Sequence, residues 1–203
     1  MSKSPRKSNL LISAKAPPDA KVAANSLHLE NVFERGFNAR DRIIQITDVI
    51  EFPAFDFVDA AMTELENESR KGITLKLNSE GGSVYEALAI VGRMNKSSCF
   101  ITVEGYGCVM SAATLILAAG NKRKLSHLAW FMHHEASLEP PQMRASELAA
   151  FSKQIQREER QWAKVMAEYT HKSEKFWLEK GTHIDVYFSA QELLKMGVID
   201  EVF

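Results

Sequence analysis

Apolar residues change their spacing along this chain, and the changes mark its elements. In Ile43-Ile44-Gln45-Ile46 and Ile73-Thr74-Leu75-Lys76-Leu77 they form short runs or alternate, as strands do, and Phe100-Ile101-Thr102-Val103 repeats the pattern. Between these runs, Val58, Ala61, Met62 and Leu65, and then Val84, Ala87, Leu88, Val91 and Met94, return every three or four positions. That spacing puts each set on one face of a helix. From Ser111 the chain is almost wholly apolar up to Gly120, which predicts a buried helix closed by glycine. The alternation of strand and helix signals predicts an α/β domain: a mostly parallel sheet covered by helices, with functional groups at the strand-to-helix turns.

After Gly120 the rhythm changes. Lys124 to Met132 reads as one strand-like run ending at His133-His134-Glu135, followed by a loop with Pro140-Pro141. A long amphipathic helix is predicted from Ala145 to about residue 170, with Leu148, Phe151, Ile155, Trp162, Val165, Met166 and Tyr169 on or near one stripe. An ordinary packing helix and a helix projecting toward another subunit both fit that stripe. Ser189 to Gly197 reads as a capped helix stopped by glycine, and Val198 to Phe203 as a last strand. Residues 1–26 lack apolar periodicity and carry Pro5, Pro17 and Pro18, so they are read as a flexible arm ahead of one domain over 27–203.

Composition narrows the function classes. With 203 residues and 45% hydrophobic content, the chain can bury a sizeable core. Its net charge is -1 and no dense Lys/Arg stripe with interleaved aromatics occurs, so nucleic acid is not an expected partner. Leu10-Leu11-Ile12 is too short for a signal-peptide core, no run approaches membrane-spanning length, and Cys99 and Cys108 lack a CxxC spacing. The expected location is cytoplasmic, without a membrane partner.

Four positions could carry chemistry. Ser111 heads the apolar helix, where free amides and the helix dipole would favour an oxyanion; serine there is also a preferred N-cap. Gly81 and Gly82 lie in Asn78-Ser79-Glu80-Gly81-Gly82-Ser83, where paired glycines let backbone approach a ligand or simply make a tight turn. The amides of Gly82 and Ala112 could together form a two-donor oxyanion hole. Of His133 and His134, only one can face the Ser111 turn, since side chains alternate along a strand. The pair could also be surface polarity or half of a metal site, but no further Cys/His cluster gives metal-ligand spacing. Asp185, in Gly181-Thr182-His183-Ile184-Asp185-Val186-Tyr187-Phe188, could orient an imidazole or be a turn residue, and His183 is a competing histidine close to it.

From about Arg42 onward the chain resembles the ClpP-like serine peptidases, the proteolytic subunits of the Clp protease, which have a crotonase-type fold. The resemblance is carried by Arg42-Ile43-Ile44, by Leu77 to Val84 with Ala87-Leu88-Ala89-Ile90, by Gly107 to Gly120, by Met132-His133-His134, and by Asp185 to Ala190 running into Gly197-Val198-Ile199-Asp200. It implies a repeated β-β-α core with a projecting handle helix. It implies Ser111 as nucleophile, His134 as general base, Asp185 as orienting acid, and Gly82 and Ala112 as oxyanion donors. It implies endopeptidase action on peptides or unfolded proteins in a homo-oligomeric chamber of stacked rings, no cofactor and no metal, and an ATP-dependent unfoldase as a further partner. Four departures stand out: Glu80 replaces the family's usual proline, Ala112 its usual methionine, the segment between Gly120 and His134 is shorter than usual, and the arm before Leu27 does not resemble the family's axial-loop segment, which belongs to the gating apparatus. The alternatives are acyl-CoA chemistry on the same fold, using carboxylates such as Glu80 and Glu86, and a non-catalytic ring subunit.

Overall fold

In the computed structural model, residues 36–136, 142 and 144–203 are described; the predicted arm and the Pro140-Pro141 loop lie outside them. Strands β1 (Phe37–Asn38), β2 (Ile43–Thr47), β3 (Ile73–Ser79), β4 (Ile101–Met110), β5 (Lys122–Leu125), β6 (Trp130–His133), β7 (Val186–Ser189) and β8 (Glu201–Val202) form one sheet. The helices are α1 (Ala54–Glu68), α2 (Val84–Lys96), α3 (Ala113–Ala118), α4 (Ala145–Tyr169), α5 (Glu174–Glu179) and α6 (Ala190–Lys195). Strands β2, β3, β4, β5 and β8 lie side by side and parallel, while β1 pairs antiparallel with β2 and β7 with β6. The mostly parallel α/β architecture is the predicted one.

The core follows from the two periodicities. Ile73, Leu75 and Leu77 of β3 are buried at every second position, and they meet Val58, Ala61, Met62 and Leu65 of α1 and Ala87, Ile90, Val91 and Met94 of α2 in one hydrophobic core. All six residues of α3 are buried within it. On strands β4, β5 and β8, Lys124 sits 3.6 Å from both Glu104 and Glu201, and Lys122 sits 3.2 Å from Glu201. These part-exposed pairs set the register more than they stabilise it.

Strand β4 shapes the site. Its first half, Thr102 to Gly105, pairs with β5; its second half, Cys108 to Met110, pairs with β6. The register against β3 shifts between Leu77 and Ser79. Gly107 permits the bend: it has φ +48°, and a Cβ there would lie 2.5 Å from Asn78 Oδ1, which accepts the neighbouring Cys108 N–H at 3.0 Å. The single run predicted over 124–132 is therefore two strands, separated by a turn closed by Ala129 N–H to Ser126 C=O at 2.9 Å, both parallel to β4. Two further boundaries differ from expectation. The apolar helix begins at Ala113 and not at Ser111, because β4 runs through Met110. The last strand shrinks to Glu201–Val202, since the buried Val198 and Ile199 lead into it as irregular backbone. Strand β7 and helix α5 carry patterns too short to be seen in the sequence.

Arg42 closes the first crossover. It is only 8% exposed and has φ +57°. Its guanidinium donates to the carbonyls of Leu65, Ser69, Lys71 and Gly72 at 3.0–3.1 Å and reaches Glu68 at 3.3 Å. These carbonyls lie at and beyond the C-terminus of α1, where helical partners run out and the dipole favours a cation. Replacing Arg42 with methionine leaves several of them unpaired, and the expected loss is about 3 kcal/mol of unfolding free energy, read from urea denaturation.

Candidate active site

The bifurcation of β4 brings three chain segments to one place. Ser111 follows β4 with φ +51°, in the left-handed region that side chains other than glycine rarely adopt. Strain of this kind costs on the order of 1 kcal/mol and accompanies nucleophiles held on sharp strand-to-helix turns. The turn is held by the Ser111 N–H, which donates to Met132 C=O at 2.9 Å, and by the Ser111 C=O, which accepts from the Thr114 N–H at 3.0 Å and hydroxyl at 2.6 Å. The N-cap position belongs to Ala112, so the capping role considered for Ser111 does not apply to its side chain. Its Oγ lies instead 2.8 Å from His134 Nε2.

Strand pairing explains that contact. Met110 lies opposite Met132 in the parallel β4–β6 ladder, so the residues just past each strand end emerge together. Along β6, Phe131 and His133 share the face toward Trp177, while Trp130 is exposed on the other. His134 follows the end of the strand. The antiparallel β6–β7 ladder sets His133 against Val186, which brings the preceding Asp185 beside His134. Asp185 Oδ1 lies 3.7 Å from His134 Nδ1, an electrostatic contact longer than a hydrogen bond, with the aspartate side chain 54% exposed and the histidine 23%. His183, the competing histidine, is 84% exposed and stands 3.4 Å from Glu135.

The glycine turn abuts the serine. Gly81 and Gly82 have φ +102° and +139°. The segment is held by Ile50 N–H to Gly81 C=O and Ser83 N–H to Ile50 C=O, both at 2.7 Å. A Cβ on Gly81 would lie 2.6 Å from Met110 O, 2.7 Å from Ser111 Cβ and 3.0 Å from the Ala112 nitrogen; one on Gly82 would lie 2.3 Å from Ile50 O. Only glycine tolerates this approach. Among the described residues, the amides of Gly82 and Ala112 have no hydrogen-bond acceptor in the protein. Of the two carboxylates near the turn, Glu86 is engaged by the Phe55 N–H at 2.8 Å and Glu80 is exposed. A cavity of about 440 Å³ opens here, bordered by Gly82, Ser111, Ala112 and His134, and by Trp162 and Leu178 from α4 and α5. The turn, the serine and the imidazole thus form one constellation suited to acyl transfer at a carbonyl carbon.

The Clp protease family profile matches residues 27–203. This chain belongs to the Clp protease family. It is 29% identical over 187 residues to the ATP-dependent Clp protease proteolytic subunit 2 of Corynebacterium diphtheriae, covering 90% of this chain and 92% of that one. It is 29% identical over 167 residues to the ATP-dependent Clp protease proteolytic subunit of Streptococcus mutans, covering 80% and 85%. It is 30% identical over 168 residues to that of Bacteroides fragilis, covering 80% and 79%. This Clp protease family member is a serine-type endopeptidase on a ClpP-like α/β fold. Among its described residues no helix is long and apolar enough to cross a membrane.

Sequence reasoning left one residue of this Clp protease chain without a role. His133 is buried, with its ring stacked on Trp162 at a centroid distance of 4.2 Å and planes 3° apart, and its Nε2 lies 2.9 Å from Trp177 O. That acceptor requires an Nε2–H. Burial pushes the imidazole below its ordinary value, and this outweighs the opposing pull of main-chain bonds to Trp177 and Lys180. The folded state therefore binds fewer protons at His133 than the unfolded chain does. The associated stability is fully present above about pH 6.5 and is lost as the pH falls from there through the lowered folded value. The urea midpoint is expected to fall between pH 7.5 and pH 5, and to fall less in His133→Phe.

Proposed function

We propose that Ser111, His134 and Asp185 carry the peptidase chemistry of this chain, and that its substrates are peptides or unfolded polypeptides. The observation that supports this most directly is the 2.8 Å approach of Ser111 Oγ to His134 Nε2 beside the glycine turn. With Nε2 accepting from the serine, the imidazole carries its proton on Nδ1, the atom nearer Asp185. As Ser111 Oγ attacks a peptide carbonyl carbon, His134 takes the hydroxyl proton, and the carboxylate of Asp185 stabilises the imidazolium so formed. The oxyanion accepts from the amides of Gly82 and Ala112, each worth on the order of 3 kcal/mol in the transition state. His134 then protonates the departing amine, leaving an acyl-serine. Water attacks that ester while His134 takes its proton, and the proton returns to Ser111 as the acid product leaves.

The relatives are named as subunits of ATP-dependent proteases. We accordingly propose that this chain works as a homo-oligomer of stacked rings in the cytoplasm, supplied with polypeptide by an ATP-driven unfoldase. Helix α4 supports the assembly: its first turns are exposed and present Leu148 to solvent.

Three measurements test these proposals. Ser111→Ala and His134→Ala are each expected to lower peptide hydrolysis by at least about a thousandfold, and Ser111→Ala to abolish labelling by a fluorophosphonate probe. Labelling of Ser111→Ala at the wild-type rate would place the nucleophile elsewhere. Native mass measured by analytical ultracentrifugation is expected to be a large multiple of the chain mass; a monomer would overturn the ring.

A further inference from the structure

We propose that His133 is a positioning residue, which holds the loop between α5 and β7 by its ring hydrogen bond to Trp177 and its stack on Trp162, and so sets Asp185 against His134. This rests on reading Ser111, His134 and Asp185 as the triad. The weak link in that triad is its outer contact. Asp185 stands 3.7 Å from His134 on a side chain more than half exposed, so its own surroundings do little to fix it. Its position depends on where the main chain from Trp177 to Val186 runs.

That main chain is tied to residues 133–135 at three levels. Glu135 N–H donates to Gly181 C=O at 3.3 Å, and His183 N–H donates to the Glu135 carboxylate at 3.2 Å; Glu135 and His183 are exposed, Gly181 is buried. Gly181 packs so closely that a Cβ there would lie 2.9 Å from His134 Cα and 3.0 Å from His133 O. The buried tie is the hydrogen bond from His133 Nε2–H to Trp177 C=O at 2.9 Å. Trp177 is itself anchored: its indole N–H donates to Thr170 Oγ1 at 3.1 Å, and the Thr170 hydroxyl donates to Met166 C=O at 2.6 Å. The edge-to-face contact of Trp162 with Trp177, centroids 5.7 Å apart, closes a three-ring cluster with His133. One residue away from the general base, this cluster joins α4, α5 and β6. A hydrophobic side chain in place of His133 would fill the space, but it would leave the Trp177 carbonyl unpaired in a dry site. The cluster can therefore transmit a displacement of α5 to Asp185.

The test is a double-mutant cycle. His133→Phe keeps a ring for Trp162 and removes the donor; Asp185→Asn removes the charge the loop presents. The readouts are the fluorophosphonate labelling rate per folded chain and the split between kcat and KM for a short peptide. His133→Phe is expected to lower labelling and kcat by about tenfold or more with KM within about twofold, since small misplacements of catalytic groups act on rate. In the Asp185→Asn background the same change is expected to cost little, because the group it positions is already gone. His133→Gln, which keeps a donor, is expected to recover part of the loss. Wild-type labelling and kcat in His133→Phe, or losses that simply add in the double variant, overturn the proposal. If His133→Phe does not fold, His133→Met takes its place in the cycle; if neither folds, His133 is a stability residue and the proposal fails. Failure of the wild type to label would instead overturn the triad reading.

Discussion

The site depends on one main-chain hydrogen bond, from the Ser111 amide to the Met132 carbonyl. It extends the β4–β6 ladder one step past the strand that carries the serine, and it sets how far β6 has advanced when Ser111 turns out of line. Shift that register by one residue and His133 would take the place of His134, since successive side chains point to opposite faces. The buried imidazole would then face the serine, and that of His134 would meet the tryptophans. The same bond permits the positive φ of Ser111: a strained residue persists only where its neighbours hold it from both sides. Here Met132 holds the amide and Thr114 the carbonyl.

Much of this was legible in the chain itself, and the reason is periodicity. Strands β2 and β3 and helices α1 and α2 are long enough for alternation or three-to-four spacing to show, and they lie where the pattern puts them. The candidate site was legible for a different reason. Ser111, His134 and Asp185 each sit at the end of an element, and their order matched a known family. What the sequence concealed is geometry made by tertiary contact. The run over 124–132 has no glycine or proline to mark the turn that splits it; only the bend of β4 at Gly107 reveals that two strands must share one neighbour. Strand β7 has four residues, too few for a pattern, yet its pairing with β6 places Asp185. His133 looked like an incidental neighbour because stacking on Trp162 joins residues far apart in the chain.

The two glycines of the turn show how little room the chemistry leaves. Gly81 approaches Ser111 so closely that a single added carbon would displace the serine side chain, and Gly82 lies against Ile50 with no space for one. The turn is therefore braced from behind by β2's extension and open only toward the cavity. Amides in such a cradle are held in fixed directions, which is what the proposed oxyanion site requires: no reorganisation when a carbonyl oxygen gains charge.

Arg42 has a consequence for how the chain comes to order. The guanidinium belongs to the residue before β2, but the carbonyls it satisfies come from the end of α1 and the approach to β3, more than twenty residues later. The last turn of α1 is thus completed by a group outside the helix. Ser69 N–H closes the helix on Leu65 C=O, and Arg42 adds the tie that joins strand, helix and following strand into one β-α-β unit. A nascent chain that has emerged only through α1 holds the donor without its full set of acceptors. The acceptor set of Arg42 is complete only with residue 72.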